Sequence, residues 1–125
     1  NDAFSKWLGS EIITVKAGNC QIQMRVRPEM LNGFGILHGG VSFSFADSAF
    51  AFASNSQGRH AVSVDTHISH LAAVKAGEVL TAEAIEMNQQ HKLAHYQVIV
   101  YRDRTEKVAL FNGTVYRKKE EWKYH

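Results

Sequence analysis

The alternation of apolar and polar residues is clearest from Cys20 to Val26. Cys20, Ile22, Met24 and Val26 fall on one face, and Gln21, Gln23 and Arg25 on the other. A period of two predicts a half-buried strand. Glu11 to Val15 is rich in β-branched residues and predicts a second strand, hairpinned to the first across Gly18–Asn19. Pro28 ends the hairpin, because proline has no N–H to give to a sheet ladder. Upstream, Phe4, Trp7 and Leu8 recur at helical spacing and predict a short amphipathic helix over Ala3 to Leu8, laid on the surface of a larger body.

Four more strands are predicted downstream, at Ala61 to Leu71, Val79 to Met87, Leu93 to Tyr101 and Val108 to Arg117. Lys75 to Glu78 is a turn, and the polar stretches Asn88 to Lys92 and Asp103 to Lys107 are connections, so the four read as a meander. In the first of them, Val62, Val64, Thr66, Ile68 and His70 share one side; Ser63, Asp65, His67, Ser69 and Leu71 take the other. The tail from Lys118 to His125 is charged and is expected to be exposed.

Between the two halves, Asn32 to Gly40 reads as a glycine-rich loop and Val41 to about Ser54 as a strongly apolar helix, broken by Ser56-Gln57-Gly58-Arg59. Stepping ~100° per residue from Asp47 puts Gly40, Phe43, Ser44, Phe50 and Ala51 on its face. Val41, Phe45, Ala49 and Phe52 fall opposite. A helix apolar on every side is buried on every side. One long helix and about six strands predict an α+β domain, with an antiparallel sheet wrapped over the helix. A single sheet covers only one side of that helix, so a partner subunit is expected on the other.

Composition narrows the picture. At 125 residues the chain reads as one domain over residues 1–125, and 45% apolar residues suffice for a real core. A net charge of +2 does not make a nucleic-acid binder, although a pI near 8.8 fits a basic patch for an anionic small molecule. The single cysteine, Cys20, has no internal partner, which implies a reducing, cytoplasmic setting. Asn1 to Gly9 has no long apolar run, so no signal peptide is expected. The apolar helix falls short of the ~20 residues that span a bilayer, so no membrane partner is expected.

The candidate chemistry centres on Asp47, the one charged residue in that helix. It is an aspartate satisfied by backbone donors or serine hydroxyls, or part of a helix face exposed at a polar interface, or a general base whose pKa is raised by apolar neighbours. His38-Gly39-Gly40, just before the helix, is either a plain turn or an oxyanion site. The first N–H groups of a helix have no internal partners and lie at the positive end of its dipole, and glycine lets a substrate oxygen approach. Asp47 follows Gly40 by two turns on the same face, a spacing that suits a thioester carbonyl at the helix start with an activated water beside it. The seven histidines give no metal pattern: His67 and His70 point to opposite faces of a strand, and no metal site is expected. Cys20, among apolar neighbours, reads as core. His91, Lys92, Lys75, Arg102 and Arg104 read either as a basic rim for phosphates or as solvated surface charge.

Taken together, Asn32-x-x-Gly35-x-x-His38-Gly39-Gly40, Asp47, Val62-Ser63-Val64-Asp65 and Lys75-Ala76-Gly77-Glu78 resemble the hotdog-fold thioesterases of the phenylacetate-degradation (PaaI-type) group, from about residue 8 to residue 117. The resemblance implies a hotdog fold and hydrolysis of acyl-CoA, with homodimers usually paired into homotetramers and sites across the dimer interface. It implies no cofactor beyond the coenzyme A of the substrate. It gives Asp47 the role of general base or nucleophile, and the Gly39 N–H that of polarising the thioester carbonyl. Asn32 and His38 would hold the loop, and Ser63 of the facing subunit would help to place the water. His91 and Lys92 would meet coenzyme A phosphates. Gly40, Phe43 and Phe50 are candidate substrate contacts, the two phenylalanines as walls of an aryl or medium-chain acyl pocket or as core packing. Where the group often has an aromatic and a proline after the serine, this chain has His70 and Ala73. A non-catalytic acyl-CoA-binding module and a hotdog enoyl-CoA hydratase or dehydratase are the alternative readings of the same residues.

Overall fold

The computed structural model of the chain describes residues 3–121. The order of elements is α1 (Ala3–Leu8), β1 (Glu11–Lys16), β2 (Asn19–Arg25), a 3-10 turn (Pro28–Met30), α2 (Gly39–Asn55), β3 (Arg59–His70), β4 (Val79–Gln89), β5 (Leu93–Arg102) and β6 (Glu106–Glu121). All six strands form one antiparallel sheet in the order β1-β2-β4-β5-β6-β3. The last four strands are therefore not a plain meander. Only β4-β5-β6 is one, and β3 crosses to the far edge to pair with β6. The start of the charged tail is strand, since β6 runs to Glu121. Lys118 and Lys119 are exposed on it, and Trp122 to His125 lie outside the described residues.

The sheet wraps one side of α2. The alternation of β2 is realised fully: Cys20, Ile22, Met24 and Val26 are all buried. Facing them are Leu80, Ala82 and Ala84 of β4, Ala94, Tyr96, Val98 and Val100 of β5, and Ala109, Phe111 and Val115 of β6. From α2 come Phe45, Ala46, Ala49, Phe50 and Ala53. Small residues alternate with large ones, so the helix lies close to the sheet. Phe50 is the centre of this contact. Its ring lies 5.5 Å from that of Phe111 and 5.7 Å from that of Tyr96. It fills the space over Gly113, where an added Cβ would come within 2.6 Å of Phe50 Cζ.

The expectation of a helix buried on every side does not hold for the single chain. The arc through Gly40, Ser44, Asp47, Ser48, Ala51 and Phe52 is half-buried or exposed. Its serines satisfy themselves, with Ser44 Oγ donating to Gly40 O at 2.8 Å and Ser48 Oγ to Ser44 O at 2.9 Å. At its far end α2 is tied to the sheet. Gln57 Nε2 donates to Tyr96 Oη at 2.9 Å, Tyr96 Oη to Glu86 Oε2 at 3.1 Å, and Gly18 N–H to Ser56 Oγ at 3.1 Å.

A bulge on β3 changes which side chains face the helix. Ser63 pairs with Val115 and Asp65 with Thr114, leaving Val64 as the extra residue. Strict alternation puts Ser63 and His70 on opposite faces. The bulge puts both on the helix side, because directly opposed residues share a face and their partners Val115 and Ala109 are both buried.

The Phe50–Gly113 contact gives a stability test. Gly113→Ala drives a methyl into the Phe50 ring and is expected to cost about 1–3 kcal/mol. Urea denaturation should show that loss, and the double variant with Phe50→Leu should recover part of it.

Candidate active site

The loop before α2 is closed by Asn32. Its Oδ1 accepts the N–H groups of Phe34 (2.9 Å) and Ile36 (3.4 Å), its own N–H donates to Ile36 O (2.8 Å), and Gly35 takes a positive φ of 76° to complete the turn. The chain then returns beside its own entry: His38 N–H donates to Met30 O at 2.9 Å and Leu37 N–H to Val74 O at 2.7 Å.

His38 caps the helix. Its Nδ1 accepts the Gly40 N–H at 2.9 Å, which spends that donor on the protein. Gly40 is therefore not a free carbonyl donor. An added Cβ there would lie 3.1 Å from His38 Nδ1. Gly39 is the first residue of α2, where an N–H has no intrahelical acceptor, and among the described residues its N–H has no other partner. A Cβ there would lie 3.2 Å from His70 Cε1, so the imidazole of β3 rests against the helix start. Each glycine of the pair makes room for a histidine ring.

Gly39, Asn32, His70 and Ser42 line a cavity of about 420 Å³ with a largely apolar floor that includes Ile36, Leu37, Val74, Val100 and Val108. Asp47 opens instead onto a groove of about 520 Å³ between α1 and α2, with Phe4, Ser5, Ser44, Ser48, Ala51 and Phe52. Burial raises the Asp47 carboxyl above the usual carboxylate range. The hydroxyls of Ser44 and Ser48 already donate to helix carbonyls, so neither satisfies it. The reading of Asp47 as an aspartate held by serine donors loses its donors.

Several sequence expectations need correction. Gly39 and Asp47 are eight residues apart, about 12 Å along the helix axis, and they line separate spaces. One chain does not bring them to a common carbonyl. Phe50 shares the Asp47 face on a helical wheel, yet it is only 1% exposed and packed in the core, because it lies ~60° round from Asp47 on the sheet side. Phe43 turns the same way, its ring 5.5 Å from Phe111. Phe52, expected opposite, lines the groove with Asp47. Ser63 lines neither space. His91 and Lys92 are exposed in the β4–β5 turn, next to Gln89, which donates to Gln57 Oε1 at 2.7 Å just past the end of α2. The 17 residues of α2 put about 25 Å between that end and Gly39. Arg102 is not a rim cation either. It is bound to Glu78 (3.1 Å), Glu106 (2.7 Å) and the Ala73 carbonyl (2.8 Å).

Arg27 was not legible as a functional residue. It stacks on Trp7, 5.1 Å from the ring centroid, and donates to the carbonyls of Trp7 and Leu8. It thereby fastens α1, which supplies one wall of the Asp47 groove. Ser42 was missed too, although stepping one turn on from Gly39 finds it. Burial pushes the Cys20 thiol up to about 11, which removes it as a nucleophile. Among the described residues no three His, Cys, Asp or Glu side chains converge on a metal position.

A single long helix on a six-stranded antiparallel sheet, with a free N–H at the helix start and a half-buried carboxyl two turns on, defines a hotdog-fold thioester hydrolase. Residues 34–109 match the thioesterase superfamily, and the chain belongs to it. A putative esterase of Archaeoglobus fulgidus is 40% identical over 98% of this chain and 79% of its own length. The acyl-coenzyme A thioesterase PaaI of Escherichia coli is 41% identical over 94% of this chain and 84% of its own. The solved structure of the E. coli PaaI protein superposes with a TM-score of 0.93 at 40% identity, covering 97% of this chain and 88% of that one.

The raised carboxyl has a stability consequence. The folded state holds the Asp47 proton more tightly than the unfolded state, so ionised Asp47 costs stability at neutral pH. That cost disappears below the ordinary carboxylate value of 3.8. Asp47→Asn is therefore expected to melt at or above the wild-type temperature at pH 7. The gap should close as pH falls through the carboxylate range, as thermal denaturation across pH will show.

Proposed function

We infer that the chain hydrolyses acyl-coenzyme A thioesters at a site completed by a second copy of itself, with Asp47 as the base. The observation that carries this is Asp47: a carboxyl raised by burial, without serine donors, on the open arc of a helix whose first N–H is free. The E. coli relative is named an acyl-coenzyme A thioesterase. The human protein named acyl-coenzyme A thioesterase 13 is 30% identical over 84% of this chain and 77% of its own length.

In this reading Asp47 removes a proton from water as the water attacks the thioester carbon. The Gly39 N–H donates to the carbonyl oxygen as it gains charge, aided by the helix dipole. Coenzyme A leaves as the thiolate and takes up a proton, and the free acid remains. Asn32 and His38 hold the loop that presents Gly39. The cavity under Gly39 has room and an apolar floor for an aryl-acetyl or medium-chain acyl group. Coenzyme A enters as part of the substrate, and the reaction draws on no other cofactor.

The second copy resolves the separation of Gly39 from Asp47. The β3 strand is the outer strand of the sheet, 12 residues long, with Val62 42% and Val64 58% exposed. A long outer strand with exposed valines is a template for pairing. Two-fold pairing along it sets the two helices antiparallel. Asp47 of one copy then moves toward Gly39 of the other, and His91 and Lys92 at the far helix end move toward the partner's carbonyl site. Ser63, on the helix side of β3, lies next to that seam. Pairing of such dimers into a homotetramer and a cytoplasmic location are part of the same reading, the latter supported by the free, buried Cys20.

Asp47→Asn is expected to lower kcat/KM by on the order of 100-fold or more for phenylacetyl-CoA and a fatty acyl-CoA panel, followed by thiol release. Equal rates in the two proteins would remove Asp47 from the mechanism. Light scattering should show a dimer or tetramer; a folded, active monomer at micromolar concentration would contradict the shared site.

A further inference from the structure

The cavity beneath the start of α2 is not uniformly apolar. Four serines lie within α2, and three of them donate to a helix carbonyl: Ser44 to Gly40, Ser48 to Ser44, Ser54 to Ala51. Ser42 is the exception. It is only 7% exposed, and its hydroxyl makes no hydrogen bond among the described residues. No side-chain polar atom among those residues is both sealed from solvent and unpaired. The Ser42 hydroxyl therefore reaches solvent-accessible space, and Ser42 lines the 420 Å³ cavity. At its mouth stands His70, whose ring nitrogens also have no partner among the described residues and whose Nε2 lies 3.5 Å from the Cβ position of Gly39.

We propose that this cavity selects acyl groups carrying a hydroxyl two carbons from the thioester carbonyl, that is, 3-hydroxyacyl-coenzyme A, and that Ser42 and His70 recognise that hydroxyl. The inference rests on the reading above, in which the carbonyl sits at the Gly39 N–H. Ser42 follows Gly39 by three residues, which places it one turn on and about 4.5 Å along the axis. An acyl chain running from Gly39 into the cavity passes Ser42 at its second or third carbon. A hydroxyl there takes a hydrogen bond from one of the two side chains and gives one to the other. A hydroxyl at the far end of the acyl group meets the apolar floor of Val100, Val108 and Ala109 instead.

The alternative occupant of the Ser42 site is water, and it works in the same direction. An unsubstituted chain that displaces this water leaves a buried hydroxyl unpaired, which is penalised. The hydroxylated chain replaces the water's bonds and escapes the penalty.

The test compares hexanoyl-CoA with 3-hydroxyhexanoyl-CoA, with 4-hydroxyphenylacetyl-CoA as a probe of a remote hydroxyl. Wild type, Ser42→Ala and His70→Phe are each assayed for thiol release. Wild type is expected to favour the 3-hydroxy ester over hexanoyl-CoA by about tenfold in kcat/KM. Each substitution should lower that ratio toward one, chiefly through KM. His70→Phe keeps a ring against Gly39 and so separates loss of the nitrogens from loss of shape. A ratio near one in wild type, a ratio that survives both substitutions, or a preference confined to the remote hydroxyl would overturn the proposal while leaving the hydrolase reading intact. No thiol release from any of the three esters would overturn that reading, and this inference with it.

Discussion

The rotation of α2 about its own axis decides what every other part of the site can do, and the Phe50–Gly113 contact fixes it. The ring needs the missing Cβ of Gly113 and the flanking rings of Phe111 and Tyr96. A turn of the helix by even one residue's worth of angle would drive Phe50 into the sheet backbone or lift it into solvent. With that contact in place, Asp47 has one destination, the groove against α1, and Gly39 and Ser42 have another, the cavity under the loop. The Asp47 carboxyl and the Gly39 N–H are held apart by the same packing that makes the domain stable. Burial of a large aromatic contributes on the order of 2–3 kcal/mol, no less than a carboxylate regains from a single hydrogen bond, and turning the helix would give up the flanking ring contacts as well.

The start of the helix shows a second economy of construction. A glycine pair before a helix is ordinarily explained by turn geometry, but neither Gly39 nor Gly40 has a positive φ. At both, an added Cβ would lie 3.1–3.2 Å from a histidine ring. Gly40 yields to His38, which then takes its N–H, and Gly39 yields to His70, which leaves its N–H free. Two adjacent residues of the same type thus differ in the one property that matters for holding a carbonyl. Asn32 supports the difference from a distance by closing the loop that brings His38 to the cap position.

Much of this was legible from the residues alone. The β2 alternation, the six strands, the long helix and the turn chemistry are local signals, and period and propensity carry them. What was not legible is set by partners far along the chain. The path of β3 to the outer edge depends on which strand β6 accepts, and no turn signal encodes that. The bulge at Val64 reverses the facing of Ser63 relative to His70, and nothing in Val62-Ser63-Val64-Asp65 marks it. Phe50 and Phe52 exchanged places because a helical wheel centred on Asp47 gives angles between residues but not the direction of the sheet. The wheel was right about spacing and had no way to know where the core lay.

The division of the site also explains a feature that looks wasteful in one chain. Asp47 raises the free energy of the folded state, and the open arc of α2 around it is a mixture of serine, alanine and phenylalanine that suits neither core nor solvent. The two-fold pairing proposed above would change both terms at once. It would cover the arc with its exposed Phe52 and Ala51, and it would bring to each Asp47 the positive end of the other helix. A carboxylate near a helix start is stabilised by the dipole, so association would lower the cost of ionising the residue that association buries. In the proposed reading, assembly and catalysis would make the same demand of Asp47: it must be charged, and it must face the partner.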